Sequence, residues 1–162
     1  MPEEAAGRTL VVLAVPDPMF MCGQLPLTLA SLDRPRPARL RCIAAVERRA
    51  LVAREDERTL VVRVPDGLLS AYFIPLLRDP SDPIEEGWTL SLSDVTYSIA
   101  ERDAEGRPLA LRMRFTTPLE DASRVFVAWS PRERRFAIFE PPAVGAERAI
   151  EGQSMAQLVG GG

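Results

Sequence analysis

From Leu109 to Thr116 the chain alternates without a break. Leu109, Leu111, Met113 and Phe115 occupy one parity, and Ala110, Arg112, Arg114 and Thr116 the other. Side chains on a strand point to opposite faces in turn, so this period of two predicts a strand with one apolar face and one face carrying two arginines. Its surroundings extend the pattern. Trp88-Thr-Leu-Ser-Leu and Val95-Thr-Tyr-Ser-Ile precede it, joined to it by Asp103-Ala-Glu-Gly-Arg-Pro, a sequence rich in turn formers. Val125-Phe-Val-Ala-Trp and Phe136-Ala-Ile-Phe follow, separated by the polar turn Ser130-Pro-Arg-Glu-Arg-Arg. The expectation is an antiparallel meander running from Trp88 to Glu140.

One irregularity interrupts it. Trp88, Leu90 and Leu92 lie on even positions, whereas Val95, Tyr97 and Ile99 lie on odd ones. Burying both sets on one sheet needs an extra residue between them, so the pattern predicts a bulge or sheet-switching bend at Ser93-Asp94. The two late strands, 125–129 and 136–139, are apolar on both faces. The face that does not pack the core needs cover from the Arg8–Val15 strand, the C-terminal segment or another subunit.

The first half carries further strand patterns. Arg8 to Val15 is a continuous apolar run rich in valine, as expected of a strand buried on both faces. Leu25, Leu27 and Leu29 alternate through a predicted strand that Pro26 demotes to an edge or a bulge. Leu40 to Val46, Ala50 to Arg54 and Leu60 to Val64 resume the strand period as a second, smaller meander. Leu68 to Leu77 is apolar on all sides and fits a helix or a buried strand equally. Ser154-Met-Ala-Gln157 has the form of a capping box opening a short helix. The fold class expected is therefore all-β, an antiparallel meander closing into a barrel or sandwich of about 8–10 strands, with at most one or two short helices. Residues 1–142 are expected to form one β-rich domain, and 143–162 an appendage containing the short helix.

Composition removes whole classes of chemistry. All 20 cationic side chains are arginine, and the 162 residues include no His, Lys or Asn. Without imidazole there is no Ser–His–Asp or Cys–His catalysis, and without lysine no Schiff base and no P-loop. Two cysteines, Cys22 and Cys42, are too few for an ordinary zinc site. Met19, Met21 and Cys22 are soft ligands close together, but methionine is the common filler of irregular core gaps, so no metal and no cofactor is expected. The acidic N-terminus and the lack of any apolar run near the roughly 20 residues that span a bilayer point to a cytoplasmic protein with free, buried cysteines. A net charge of −3 gives no reason to expect a nucleic-acid partner.

Two groups of residues remain as candidates. Residues 34–41, RPRPARLR, hold four arginines and two prolines on an extended path, and Arg34, Arg36, Arg39 and Arg41 suit a partner's carboxylates or phosphates. Arg132, Arg134 and Arg135 in the late turn would strengthen this patch if they lay beside it. The leading expectation is a non-catalytic interaction module acting through protein contacts, as a homo-oligomer or within a larger assembly. The alternative is a small barrel binding an apolar metabolite, with Tyr97, Arg112 and Trp129 lining the ligand site, and a cofactor-free cyclase or isomerase as its enzymatic form. No catalytic residue is singled out by spacing.

Overall fold

The structure is a computed structural model that describes residues 3–69 and 84–160. Apart from Leu68 and Leu69, the ambiguous apolar segment 68–77 lies outside the described residues. Strands dominate. Ten of them, among the described residues, form two sheets, and the chain divides into two compact units.

The first unit comprises Met1–Arg49, Glu120–Glu140 and Ile150–Gly162. Its sheet has the order β2-β1-β8-β9, with β1 (Thr9–Ala14), β2 (Arg39–Cys42), β8 (Arg124–Ser130) and β9 (Arg135–Ile138). All six residues of β1 are buried, as its apolar run predicts. Both neighbours of β1 run parallel to it: Leu10 faces Leu40 on one side and Val125 on the other. Parallel central strands are covered on both faces and read as continuous apolar runs. That explains why Val125-Phe-Val-Ala, apolar on both faces, is buried beside β1 rather than extending the meander.

A parallel neighbour needs a crossover, and the residues between β1 and β2 supply one. It contains α1 (Pro18–Met21) and α2 (Leu25–Ser31). The strand expected at Leu25–Leu29 is therefore a helix. Pro26 is tolerated because it lies in the first turn, where a missing N–H costs no helical hydrogen bond. Leu25 and Leu29 are spaced for one strand face and equally for one helix face. Leu27 distinguishes the two: it is 72% exposed, whereas Leu29 is buried.

The core of this unit gathers Leu10, Val12, Val15, Cys22, Val125 and Val127, with Leu25, Leu40, Cys42 and Phe136 packed against them. Cys22 and Cys42 are joined in a disulfide, not free as expected. The crossover brings the end of α1 back over β2, leaving the two Cα atoms 6.4 Å apart, within bonding range for cysteines.

After the strand Glu147–Glu151 the chain returns to this unit through Gly152, which is held against the backbone. Its N–H donates to the Arg48 carbonyl at 2.6 Å, and a Cβ there would lie 2.5 Å from the Val46 oxygen. Only glycine allows that approach. Ser154 then opens α3 (Met155–Gly160) with the expected capping box. The Ser154 N–H donates to Gln157 Oε1 at 3.0 Å, and the Gln157 N–H to Ser154 Oγ at 3.3 Å.

The second unit, Ala50–Leu119 with Pro141–Ala149, holds most of the other sheet. The order is β10-β3-β4-β7-β6-β5, from β3 (Arg49–Arg54), β4 (Thr59–Arg63), β5 (Thr89–Ser91), β6 (Val95–Arg102), β7 (Pro108–Phe115) and β10 (Glu147–Glu151). The expected hairpins are present at β3–β4 and β6–β7, both antiparallel, and β5 also pairs antiparallel with β6. Met113 and Phe115 are buried on the predicted face of β7, opposite Leu60 on one side and Tyr97 and Val95 on the other.

The long meander, however, is cut between β7 and β8, which belong to different sheets. The smaller one is cut between β2 and β3. Both sheets are open, one ending in β2 and β9 and the other in β10 and β5, and no closed barrel is found among the described residues.

Ser93-Asp94 is neither a bulge nor a sheet switch. Leu92 donates to the Val95 carbonyl at 2.8 Å and Leu90 faces Tyr97, so the pair forms the two-residue turn of a hairpin. Opposed residues in a hairpin share a face. A two-residue turn therefore converts even parity on one strand into odd on the next, with no inserted residue. Leu90 and Leu92 do share the face of Tyr97 and Val95, but on the outermost strand they remain 45% and 37% exposed rather than buried. The irregularity in β6 lies further along, where the register shifts between Ile99 and Glu101.

The helical assignment of 25–31 makes a direct prediction. Leu29→Ala is expected to cost about 2–3 kcal/mol in a denaturation experiment, and Leu27→Ala less than about 0.5. Equal losses at the two positions would restore the strand reading.

Candidate functional site

The arginine segment begins where α2 ends. The Asp33 N–H donates to the Ala30 carbonyl at 3.2 Å and the Arg34 N–H to the Leu29 carbonyl at 2.8 Å, with Asp33 left-handed at φ 51°. This is the Schellman arrangement, and it turns the chain sharply at Arg34. The prolines then keep the segment extended. It is tied to the residues before β1 by Gly7 N–H donating to the Arg36 carbonyl at 3.0 Å and Ala38 N–H to the Arg8 carbonyl at 2.9 Å. Arg39 and Arg41 follow on β2, the outermost strand of its sheet, on the face opposite the core-packed Leu40 and Cys42.

Arg34, Arg36 and Arg39 are exposed, and Arg41 is half-buried. Ala30, Asp33, Arg34, Pro35 and Arg36 line an open surface hollow of about 370 Å³. The same backbone bonds bring exposed Arg8 to this segment, a residue the sequence spacing did not associate with it.

The ion pairs of these residues set them apart from many other arginines. Arg63 pairs with Glu101 at 2.6 Å, Arg107 with Asp103 at 2.6 Å, Arg112 with Glu55 at 2.7 Å and Arg135 with Glu133 at 2.6 Å. Buried Arg54 donates to the carbonyls of Asp56 and Pro142, bracing the β3–β4 turn. Among the described residues Arg8, Arg34, Arg36 and Arg39 form no ion pair. The late turn does not join them, because Arg132, Arg134 and Arg135 lie at the β8–β9 end of the sheet, and β9 is its opposite edge.

Tyr97, Arg112 and Trp129 are not brought together within a unit. Tyr97 shares its face with Met113, and Arg112 shares the other face with Ser98, so the two point away from each other across one sheet. Trp129 belongs to the first unit. Its Nε1 donates to Gln153 Oε1 at 2.8 Å, and its ring meets Phe136 edge-on with centroids 5.7 Å apart. Cys22, one of the three soft ligands noted in the sequence, is committed to the disulfide. No group of three or more acidic or cysteine side chains is placed to hold a metal among the described residues. Among them, no helix is long and apolar enough to cross a membrane.

Arg112 holds Glu55 through two hydrogen bonds, from Nε to Oε2 at 2.8 Å and from Nη2 to Oε1 at 2.7 Å. This guanidinium lowers the carboxyl's pKa, the hydrogen bond outweighing the opposing effect of burial. A carboxylate whose folded pKa is depressed stabilises the fold above its unfolded pKa, and that stability is lost as pH falls through the folded value. Both side chains are about 40% exposed, so the pair contributes under about 1 kcal/mol. Arg112→Gln is expected to raise the Glu55 midpoint in an NMR titration toward the ordinary glutamate range. An unmoved midpoint would show that the pair does not persist in solution.

Compared with known proteins, the chain matches no family, no curated protein and no solved structure.

Proposed function

We propose that this protein is a non-catalytic, strand-rich interaction module that works through contacts with other proteins, as an oligomer or within a larger assembly. The observation that supports this reading is the set of exposed arginines at 34, 36 and 39, at and just before an outermost strand, with no carboxylate partner among the described residues. A chain that matches many of its other arginines with acidic groups leaves these for another molecule. The rival reading, an apolar metabolite held by Tyr97, Arg112 and Trp129, gains no comparable support, since Tyr97 and Arg112 occupy opposite faces of one sheet.

Light scattering after size-exclusion chromatography tests the proposal, run on protein purified from its own source cells with residue-level cross-linking. The expected result is a mass above that of the 17.9 kDa chain, with cross-links concentrated in 34–41. A monomer at high concentration with no co-purifying protein would contradict it.

A further inference from the structure

The arginine segment and the sheet edge coincide, and together they define what fits there. β2 is four residues long and bonded to β1 on one side only, so among the described residues the backbone groups on its other side face no strand. An outermost strand of this kind is the ordinary receptor for an extended peptide, which adds itself as one more strand. Main-chain hydrogen bonds would give such a peptide its register, and side chains at alternate positions its specificity.

On β2 those alternate positions are Arg39 and Arg41, which share one face, while Leu40 and Cys42 pack into the core on the other. Two residues on a strand span roughly 7 Å, so an added strand with acidic residues at every second position sets one of its carboxylates against the exposed Arg39 guanidinium. Arg34 and Arg36 continue the positive charge beyond the start of β2, beside the open hollow, and Arg8 joins them through the Gly7 and Arg8 backbone bonds. Guanidinium presents a planar fork that matches a carboxylate in two hydrogen bonds.

We infer that β2 accepts an acidic, extended segment of a partner protein as an added strand, with Arg36 and Arg39 as its principal side-chain contacts. This rests on the proposed function and specifies the partner's chemistry. Single-stranded nucleic acid fits less well. It binds by stacking on aromatic side chains, and residues 34–41 contain none.

Fluorescence anisotropy tests the inference on the full chain with four probes: a labelled peptide with glutamates at alternate positions, its glutamine counterpart, the glutamate peptide N-methylated at alternate backbone amides, and a single-stranded oligonucleotide. The glutamate peptide is expected to bind, and glutamine or N-methyl replacement to weaken it at least about tenfold. Arg36→Gln and Arg39→Gln are each expected to weaken it by a similar factor. Both arginines are exposed, so unchanged circular dichroism should accompany the loss.

Equal binding of the N-methylated peptide, tighter binding of the oligonucleotide, or full binding by the Arg36→Gln/Arg39→Gln double variant would each overturn the strand-addition mode. Absence of binding by every probe would also overturn it and leave the arginines as guards against edge-to-edge aggregation. If cross-linking then finds a protein partner on another surface, the proposed function survives and this inference alone fails.

Discussion

Burying β1 on both faces and pairing both its edges is the constraint that shapes the four-stranded sheet. Leu10, Val11, Val12 and Leu13 are all fully buried, and each contributes roughly 1.5–3 kcal/mol of transfer free energy. That gain requires every backbone group of the strand to be bonded, because an unpaired buried amide would forfeit much of it. The chain goes far toward this with two parallel neighbours, β2 just after a helical crossover and β8 after β7, the β8 register shifting once between Val12 and Ala14. The disulfide fastens that crossover to β2. Gly152 allows the returning chain to reach the backbone at Val46 and Arg48.

The same constraint decides which strand is left at the edge. With β1 and β8 inside, β2 and β9 are outermost. β2 has a mixed character that suits this place, with Leu40 and Cys42 against the core and arginines on the opposite face. In the six-stranded sheet the exposed face is dressed differently. Arg112 meets Glu55 and Arg63 meets Glu101, so charge there is balanced within the sheet. Exposed pairs of this kind contribute little to stability. They contrast with Arg34, Arg36 and Arg39, which form no ion pair among the described residues.

Much of the strand content was legible because burial leaves a period in the sequence. β7 alternates, and Met113 and Phe115 are buried on its apolar face, although Ala110 of the other parity is buried too and Leu109 and Leu111 only half so. β1 and β8 do not alternate, and both are buried on both faces, as is most of β4 in the other sheet. The turn at Asp103–Arg107 and the capping box at Ser154 were legible because each is closed by local hydrogen bonds. Leu25–Leu29 was misleading because leucines two apart satisfy a strand, while the first and last also satisfy a helix. The parity change at Ser93-Asp94 was equally ambiguous, since a tight hairpin and a bulge both produce it. At the candidate site, Arg34, Arg36 and Arg39 were visible as a run. The approach of Arg8 was not, because it depends on pairing between β1 and β2.

Native-state hydrogen exchange tests the central claim most directly, namely that β1 is the paired centre of its sheet and β2 an open edge. The account expects Leu10 to Leu13 to exchange only through global unfolding, and β2 to contain amides that exchange orders of magnitude faster in the isolated protein. Uniform protection of Arg39 to Cys42 at the level of β1 would mean that a further strand already covers this edge, and would contradict it.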